Sequence, residues 1–147
     1  MNSKETDAGS EKALVIIPTY NEIENVEKMI GTVTGLPESP DILVVDDNSP
    51  DGTGGKVKEI AAKNKNVHLI ERAGKLGLGT AYIEGFRFAL ENDYDLIIEM
   101  DCDFSHDPKD ISRLLKEIAN YDLVIGSRYI QNVNVVNWPL KRLLLSI

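Results

Sequence analysis

The sequence predicts a Rossmann-like α/β fold, in which a mostly parallel sheet carries helices on both faces. The first observation is a series of short, nearly continuous apolar runs, which are typical of strands buried on both sides. The second is that apolar residues recur at helical spacing between these runs. The third is that polar and glycine-rich segments follow the runs directly, where ligand loops of open α/β sheets lie.

Strands and helices are predicted to alternate from residue 13 onward. The predicted strands are residues 14–17, 42–45, 67–70, 96–100 and 123–125. Helical spacing is found in four groups of apolar residues between them. The groups are Ile23, Val26, Ile30 and Val33; Val57, Ile60 and Ala61; Ile83, Phe86 and Leu90; and Ile111, Leu114, Leu115 and Ile118. We expect the last group to face the core from the fourth helix.

Length and composition are those of one globular domain: 147 residues, of which 42% are hydrophobic and 27% charged. We expect residues 1–12, which are polar and lack the apolar region of a signal peptide, to form a flexible tail. Residues 13–147 are expected to form the domain, truncated at its C-terminus, because the chain ends within an apolar, basic, helix-like segment that has no C-cap.

The charge and the single cysteine exclude several classes of function. A net charge of −8 argues against binding of nucleic-acid backbones, which requires a basic surface. Cys102 has no partner for an intrachain disulfide, and its flanking carboxylates disfavour the thiolate of a nucleophile. No run approaches the roughly 18 apolar residues that span a bilayer, so membrane contact is expected to be peripheral.

The loops that follow the strands are predicted to share one edge of the sheet, because crossovers between parallel strands are right-handed. These loops comprise residues 18–22, 46–52, 72–79, 101–103 and 126–129. They contain an aromatic residue and carboxylates suited to a base and ribose, a glycine-rich basic stretch suited to phosphates, and a carboxylate pair. Together they describe a pocket for a nucleotide diphosphate.

Asp101 and Asp103 form the most specific feature at this edge. They lie two residues apart where an apolar strand ends, and divalent ions such as Mg²⁺ prefer carboxylate and phosphate oxygens. The alternative is that acidic residues start a helix at Asp107, with Pro108 in its first turn. That alternative accounts for Asp107 and leaves the Asp101–Asp103 pair unexplained.

The other features also have simpler explanations when each is taken alone. Tyr20 is an ordinary rim residue, Asn21 and Glu22 are common helix caps, and residues 46–52 have the composition of a tight turn. The glycine-rich stretch 74–79 matches neither the Walker motif nor the dinucleotide fingerprint. Arg128 is equally consistent with a surface salt bridge.

Five motifs in order resemble the family 2 GT-A glycosyltransferases, and within them the dolichol-phosphate (polyprenyl-phosphate) mannosyltransferases. The motifs are PTYNE at 18–22, VVDDNSPDGT at 44–53, KLGLGTAY at 75–82, DCD at 101–103 and GSRY at 126–129. The resemblance runs from residue 14 to about residue 147. It implies a nucleotide-sugar donor, Mg²⁺ or Mn²⁺, a polyprenyl-phosphate acceptor and a place in the cytoplasm at the membrane face.

The resemblance also implies roles by position. The residues around the donor base and ribose would be Pro18, Tyr20, Glu22, Val45 and Asp47, and Lys75 and Cys102 would also line the donor site. The metal would be held by Asp101 and Asp103, with Ser105 where relatives often have a glutamine that joins the metal shell. Arg128 would contact phosphate and complete the catalytic set of Asp101, Asp103 and Arg128. Residues 131–134 read QNVN where the family usually has glycines.

The predicted activity is the inverting transfer of a hexose, mannose, from a GDP-mannose-like donor to a polyprenyl or dolichyl phosphate. A phosphate monoester is already anionic near neutral pH, so this acceptor requires no general base. The alternatives are a noncatalytic nucleotide-sugar-binding fragment and a family 2 transferase that uses a UDP-sugar and another acceptor. A homodimer through the apolar C-terminal segment is a further expectation.

Overall fold

The computed structural model describes residues 11–127 and contains one parallel sheet with helices packed against it. The strands are β1 (Ala13–Thr19), β2 (Asp41–Asp46), β3 (Val67–Glu71) and β4 (Leu96–Glu99). The helices are α1 (Val26–Thr34), α2 (Thr53–Ala61), α3 (Leu78–Glu91) and α4 (Asp110–Glu117), followed by a 3₁₀ turn at Ile118–Asn120. The α/β prediction is therefore confirmed.

The sheet has the strand order β3-β2-β1-β4, and every pairing is parallel. Val15 at the centre lies opposite Ile42 of β2 and Ile98 of β4. Because the strands are parallel, their carboxyl ends meet at one edge. The loops that follow β1, β2, β3 and β4 therefore lie side by side, as the sequence predicts.

Alternating side chains of β1 supply two cores, one on each face of the sheet. Val15 and Ile17 are buried in the first core, together with residues of α1, α2 and α4. Leu14 and Ile16 are buried in the second core, against α3. These central strands are apolar throughout because both of their faces are covered, which is the pattern expected of parallel strands.

Gly85 lets α3 approach β1 closely, which suggests a test of this packing. A Cβ at Gly85 would lie 2.6 Å from Cγ2 and 2.7 Å from Cδ1 of the fully buried Ile16. We expect Gly85→Ala to lower the free energy of unfolding by roughly 1–3 kcal/mol, since overpacking outweighs the gain in helix propensity. Urea unfolding measures the change. Gly79→Ala is the control: no atom lies within 4 Å of its added Cβ, so no loss is expected.

The predicted fifth strand at residues 123–125 is wrong. These residues form no strand, and the side chains of Leu123 and Ile125 are 73% and 75% exposed. An apolar run becomes a strand only where a neighbouring strand pairs with it and other elements cover it. The spacing of α4 is only partly confirmed: Ile111 is fully buried, whereas Leu114 is half-buried and Ile118 lies in the 3₁₀ turn.

Some predictions fall on residues outside the described range 11–127. They concern most of the tail at 1–12, the phosphate contact of Arg128 and the apolar segment that follows it. Among the helices of the described range, none is both long enough and apolar enough to cross a membrane.

Candidate functional site

The loops after β1 and β2 are joined by hydrogen bonds at the carboxyl edge of the sheet. The backbone N–H of Asn21 donates to Ser49 Oγ at 2.9 Å, and that of Glu22 donates to Thr53 Oγ1 at 3.0 Å. The Glu22 carboxylate also accepts a bond from the Asn25 side chain at 2.8 Å. The PTYNE segment is therefore held against the next loop, beyond what a cap of α1 requires.

The carboxylates of Asp46 and Asp51 hold these two loops together by hydrogen bonds. Asp46 is buried and accepts bonds from Thr19 Oγ1 at 2.7 Å and from the N–H and hydroxyl of Ser49 at 2.9 and 2.6 Å. Asp51 accepts bonds from Ile23 N–H and from Thr53. Desolvation works to raise the pKa of Asp51, but these hydrogen bonds outweigh it and lower the pKa. The simpler explanation of residues 46–52, that they form a tight turn, therefore accounts for Asp46 and Asp51.

Asp47 forms a buried ion pair with Arg72, which lies directly after β3. Arg72 Nε is 2.5 Å from Asp47 Oδ1, and Nη2 pairs with the same oxygen. The guanidinium also donates to Thr80 Oγ1 at 2.6 Å and to the Gly77 carbonyl at 3.0 Å. The other oxygen of Asp47 accepts the Leu76 N–H at 3.1 Å. This pair therefore fixes the glycine-rich loop to the end of β2.

Arg72 is a site residue that the sequence analysis did not single out. Its side chain is only 2% exposed, although arginine is a residue that is almost never fully buried without a partner. The available signal was its position, since a cation directly after one parallel strand lies at the same edge as Asp47, the acidic residue directly after the preceding strand.

Tyr20 and Lys75 meet across the same edge. Lys75 Nζ lies 4.3 Å from the centroid of the Tyr20 ring, a cation–π distance. Tyr20 is 38% exposed, so its ring is accessible as well as positioned. The structure thus brings the aromatic residue of the first loop to the basic residue of the glycine-rich loop.

Pro18 and Val45 lie within the sheet and not at its open rim. They are opposite each other in the pairing of β1 with β2, and the Val45 side chain is fully buried in the second core. Pro18 is half-buried. Their predicted roles around the base and ribose remain predictions.

The DCD motif follows β4 with the middle residue turned inward. Cys102 is buried in the first core, whereas Asp101 is half-buried and Asp103 exposed. Burial, followed by the charges of Glu22, Asp103 and Asp101, raises the pKa of the Cys102 thiol to about 12. The thiol therefore stays protonated near neutral pH, in agreement with the expectation that the flanking carboxylates disfavour a thiolate.

Asp103 is oriented by Ser105. Its Oδ1 accepts the Ser105 N–H at 2.9 Å. Burial alone would raise the pKa of Asp103, but hydrogen bonds from the side chain and backbone of Ser105 dominate and lower it. Asp103 is therefore held as a carboxylate, the form that binds a cation. The predicted contact of Ser105 itself with a metal remains a prediction.

Phe104 has a backbone conformation that is unusual for a bulky residue. Its φ is 58°, in the left-handed region, and such residues often mark strained functional sites. The ring is partly buried against the first core, and Lys28 Nζ lies 5.1 Å from its centroid. Asn21 and Asn48, in the loops after β1 and β2, also have positive φ values of 59° and 55°. Strained backbone is thus present in three loops at this edge.

Tyr82 of α3 lies beside the other carboxylate of the pair, and in the sequence it stands out only as part of the KLGLGTAY motif. Burial, the charges of Asp101 and Glu99, and a hydrogen bond to Asp101 raise the pKa of Tyr82 far above its ordinary value. The hydroxyl therefore stays protonated and is available as a donor to the Asp101 carboxylate.

Tyr82→Phe tests this contact. The substitution removes the hydroxyl and keeps the ring, so we expect the fold to persist. Mn²⁺ or Mg²⁺ affinity in the presence of GDP should fall about 10- to 100-fold, the effect of losing a group that orients a metal ligand. Calorimetric titration measures it, and Tyr121→Phe, at an exposed tyrosine, is the control. Equal affinities of the two variants would contradict the orienting role.

The carboxylate oxygens of Asp101 and Asp103 are ligands that suit a divalent ion such as Mg²⁺ or Mn²⁺. Across residues 11–127 no group of three or more His, Cys, Asp or Glu side chains could hold a metal by itself. Such ions are commonly bound through one or two carboxylates and completed by substrate phosphates and water, which is what Asp101 and Asp103 offer.

Asp107 lies at the start of a helix, as the alternative explanation of this acidic segment predicts. It accepts the Lys109 N–H at 3.0 Å and initiates the turn into α4. The helix-start explanation therefore applies to Asp107 and does not account for Asp101 or Asp103.

Comparison with known proteins agrees with these features. The family Glycosyl transferase family 2 matches residues 14–146. The chain is 48% identical over 135 residues to the undecaprenyl-phosphate mannosyltransferase of Micrococcus luteus, covering 92% of this chain and 56% of that protein. It is 49% identical over 139 residues to the polyprenol monophosphomannose synthase of Mycolicibacterium smegmatis, covering 93% and 52%. The chain thus spans about half the length of these relatives.

A solved structure shows the same architecture. The mannosyltransferase from Pyrobaculum calidifontis, in complex with GDP-Man and Mn²⁺, superimposes with a TM-score of 0.63 at 25% identity, over 75% of this chain and 33% of that one. The Rossmann-like GT-A fold is thereby confirmed. The family match covers nearly all of the chain, and the two relatives exceed 45% identity. The chain therefore belongs to glycosyl transferase family 2.

Proposed function

We propose that this chain is the donor-binding part of an inverting mannosyltransferase, which moves mannose from a GDP-mannose-like nucleotide sugar to a polyprenyl phosphate. The observation that carries the proposal is the Asp101–Asp103 pair, which shares one sheet edge with the Tyr20–Lys75 contact and with Asp47. The names of the two curated relatives support mannose and polyprenyl phosphate, and the ligand of the solved neighbour supports GDP.

In this proposal the donor lies along the carboxyl edge. Pro18, Tyr20, Glu22, Val45 and Asp47 surround the base and ribose, and Lys75 and Cys102 lie along the rest of the donor. Of these groups, Tyr20 and Lys75 combine exposure with mutual contact, which suits them to an aromatic base and an anionic phosphate.

Asp101 and Asp103 would hold Mg²⁺ or Mn²⁺. When bound, the ion neutralises the charge that develops on the departing diphosphate. The protein's part is to aim both carboxylates: Tyr82 orients Asp101, and Ser105 orients Asp103. Ser105, or water in its place, would complete the shell.

The acceptor phosphate attacks the anomeric carbon in line with the departing diphosphate, which inverts the configuration. It is already anionic, so no residue has to remove a proton from it. In the proposal Arg128 contacts a phosphate of donor or acceptor. A polyprenyl chain lies in a bilayer, so the enzyme would make a peripheral contact with the membrane face. In the proposal it acts from the cytoplasm. A homodimer through the apolar C-terminal segment remains part of the proposal.

A second candidate function is the binding of a nucleotide sugar without transfer, or transfer from a UDP-sugar to another acceptor. The observation that favours it is the span of the match, which is 56% and 52% of the two relatives' lengths. The named substrates belong to those longer proteins.

A transfer assay separates these functions. The 147-residue chain is incubated with labelled GDP-mannose, polyprenyl phosphate in detergent and Mn²⁺, and the label in the organic phase is counted. We expect labelled lipid only when acceptor and metal are both present, and none with EDTA. Binding of GDP without transfer would favour the binding function. Transfer from UDP-glucose but not from GDP-mannose would show that the donor is a UDP-sugar.

A further inference from the structure

Arg72 lies between two carboxylates but is hydrogen-bonded to only one of them. Its Nε is 2.5 Å from Asp47 Oδ1 and 3.9 Å from Glu84 Oε2 of α3. Within residues 11–127, Glu84 Oε2 has no hydrogen-bond partner although this oxygen is buried. Buried carboxylate oxygens in proteins are nearly always hydrogen-bonded, so this exception requires an explanation.

Both carboxylate oxygens of Asp47, in contrast, accept hydrogen bonds from the protein. Oδ1 accepts bonds from Arg72 and Oδ2 accepts the Leu76 N–H, and its side chain is only 9% exposed. The proposed donor site gives Asp47 a role at the base or ribose. Because its side chain is only 9% exposed, we infer that Asp47 reaches the nucleotide by turning its carboxylate outward, which would leave a guanidinium that is 2% exposed without its carboxylate. An unpaired buried charge is strongly unfavourable.

We propose that donor binding makes Arg72 exchange carboxylates, from Asp47 to Glu84. This inference rests on the proposed donor site. Glu84 then acts as a positioning residue: it contacts no ligand and accepts the guanidinium when Asp47 turns to the nucleotide. The guanidinium is paired with a carboxylate in both states, and its bonds to Thr80 and Gly77 hold the glycine-rich loop throughout.

The surroundings of Arg72 allow this movement. A cavity of about 520 Å³ lies between the end of β3 and α3, and both Arg72 and Glu84 line it. Glu84 lies four residues after Thr80 on α3, so the two groups face the guanidinium from the same side of the helix. The 3.9 Å between Arg72 Nε and Glu84 Oε2 has to shorten by about 1 Å to reach hydrogen-bond distance.

Glu84→Gln tests the exchange in the 147-residue chain. The variant keeps the shape of the side chain but offers a neutral partner to the released guanidinium. We expect GDP affinity in the presence of Mg²⁺ to fall about tenfold or more, the effect of losing one charge-assisted hydrogen bond. The urea midpoint of the free protein should not fall, because Glu84 Oε2 makes no hydrogen bond in this state. If Glu84 had only a structural role, Glu84→Gln would lower the urea midpoint and leave the GDP affinity unchanged.

Two further measurements make the test specific. Glu91→Gln is the matched control, because Glu91 lines the same cavity from the same helix and is exposed; its GDP affinity should equal that of the wild type. The Arg72 Nε–H resonance should shift when GDP and Mg²⁺ are added to the wild-type chain. In the Glu84→Gln variant saturated with the same ligands, this resonance should differ from its position in the saturated wild type.

The outcomes separate the exchange from the proposed function. Wild-type GDP affinity in Glu84→Gln, or an Arg72 resonance that does not move on binding, overturns the exchange while leaving the donor site intact. A loss of affinity that is matched by an equal loss in Glu91→Gln or by a lower urea midpoint also overturns it. Failure of the wild-type chain to bind GDP overturns the proposed donor site, and the exchange with it.

Discussion

Asp103→Ala should abolish metal-dependent binding of the donor nucleotide while the fold persists. Asp103 is exposed at the end of β4, and its hydrogen bonds from Ser105 hold it as a carboxylate. Removing it leaves Asp101 as the single carboxylate of the pair, so GDP affinity in Mn²⁺ should fall about 100-fold or more, to the level measured in EDTA. Calorimetry measures the affinity, and circular dichroism checks the fold.

Asp107→Ala is the matched control for this experiment. Asp107 belongs to the same acidic segment, but it accepts the Lys109 N–H at the start of α4. We therefore expect a loss of about 0.5–2 kcal/mol in stability, as for a helix cap, with metal-dependent binding retained. If Asp103→Ala bound GDP and Mn²⁺ as well as wild type does, Asp103 would have no role in metal-dependent donor binding.

Arg72→Ala should cause the largest loss of stability of any substitution at the site. It leaves Asp47 as a buried carboxylate without its cation and also removes the bonds to Thr80 and Gly77. Breaking a buried ion pair from one side costs about 3–5 kcal/mol. Urea unfolding should show this loss, and amide hydrogen exchange should show that residues 76–80 lose protection before the sheet does.

Arg113→Ala is the corresponding control at the surface. Arg113 pairs with Asp110 at 3.2 Å, but both side chains are more than half exposed. Such pairs contribute about 0–1 kcal/mol, so the unfolding midpoint should change little. Comparable losses from Arg72→Ala and Arg113→Ala would contradict the view that the Asp47–Arg72 pair organises the glycine-rich loop.

The central part of the fold was predictable because its physical cause is local. Apolar runs such as residues 14–17 and 42–45 are buried on both faces, and that condition appears in the sequence as an unbroken run. The run at 123–125 has the same composition but is exposed and unpaired as a strand. Composition alone does not reveal whether a partner strand lies beside a run, so this prediction failed.

The site was predictable to the level of loops and less so to the level of contacts. Parallel strands bring their carboxyl ends to one edge, and this placed the loops that contain Tyr20 and Lys75 at the same edge; their contact is a finding of the structure. The pairing of Asp47 with Arg72 and the support of Asp101 by Tyr82 depend on distances between loops. Sequence spacing does not encode such distances, so Arg72 and Tyr82 emerged only from the structure.

The most direct test of the account is a calorimetric titration of GDP into the wild-type chain with Mn²⁺, with Mg²⁺ and with EDTA. We predict saturable binding of one GDP per chain in the presence of either ion, and loss of that binding in EDTA. Binding of UDP but not GDP would support the donor site and would identify the donor as a UDP-sugar. Absence of metal-dependent binding of both nucleotides would contradict the claim that the carboxyl edge of this sheet is a donor site.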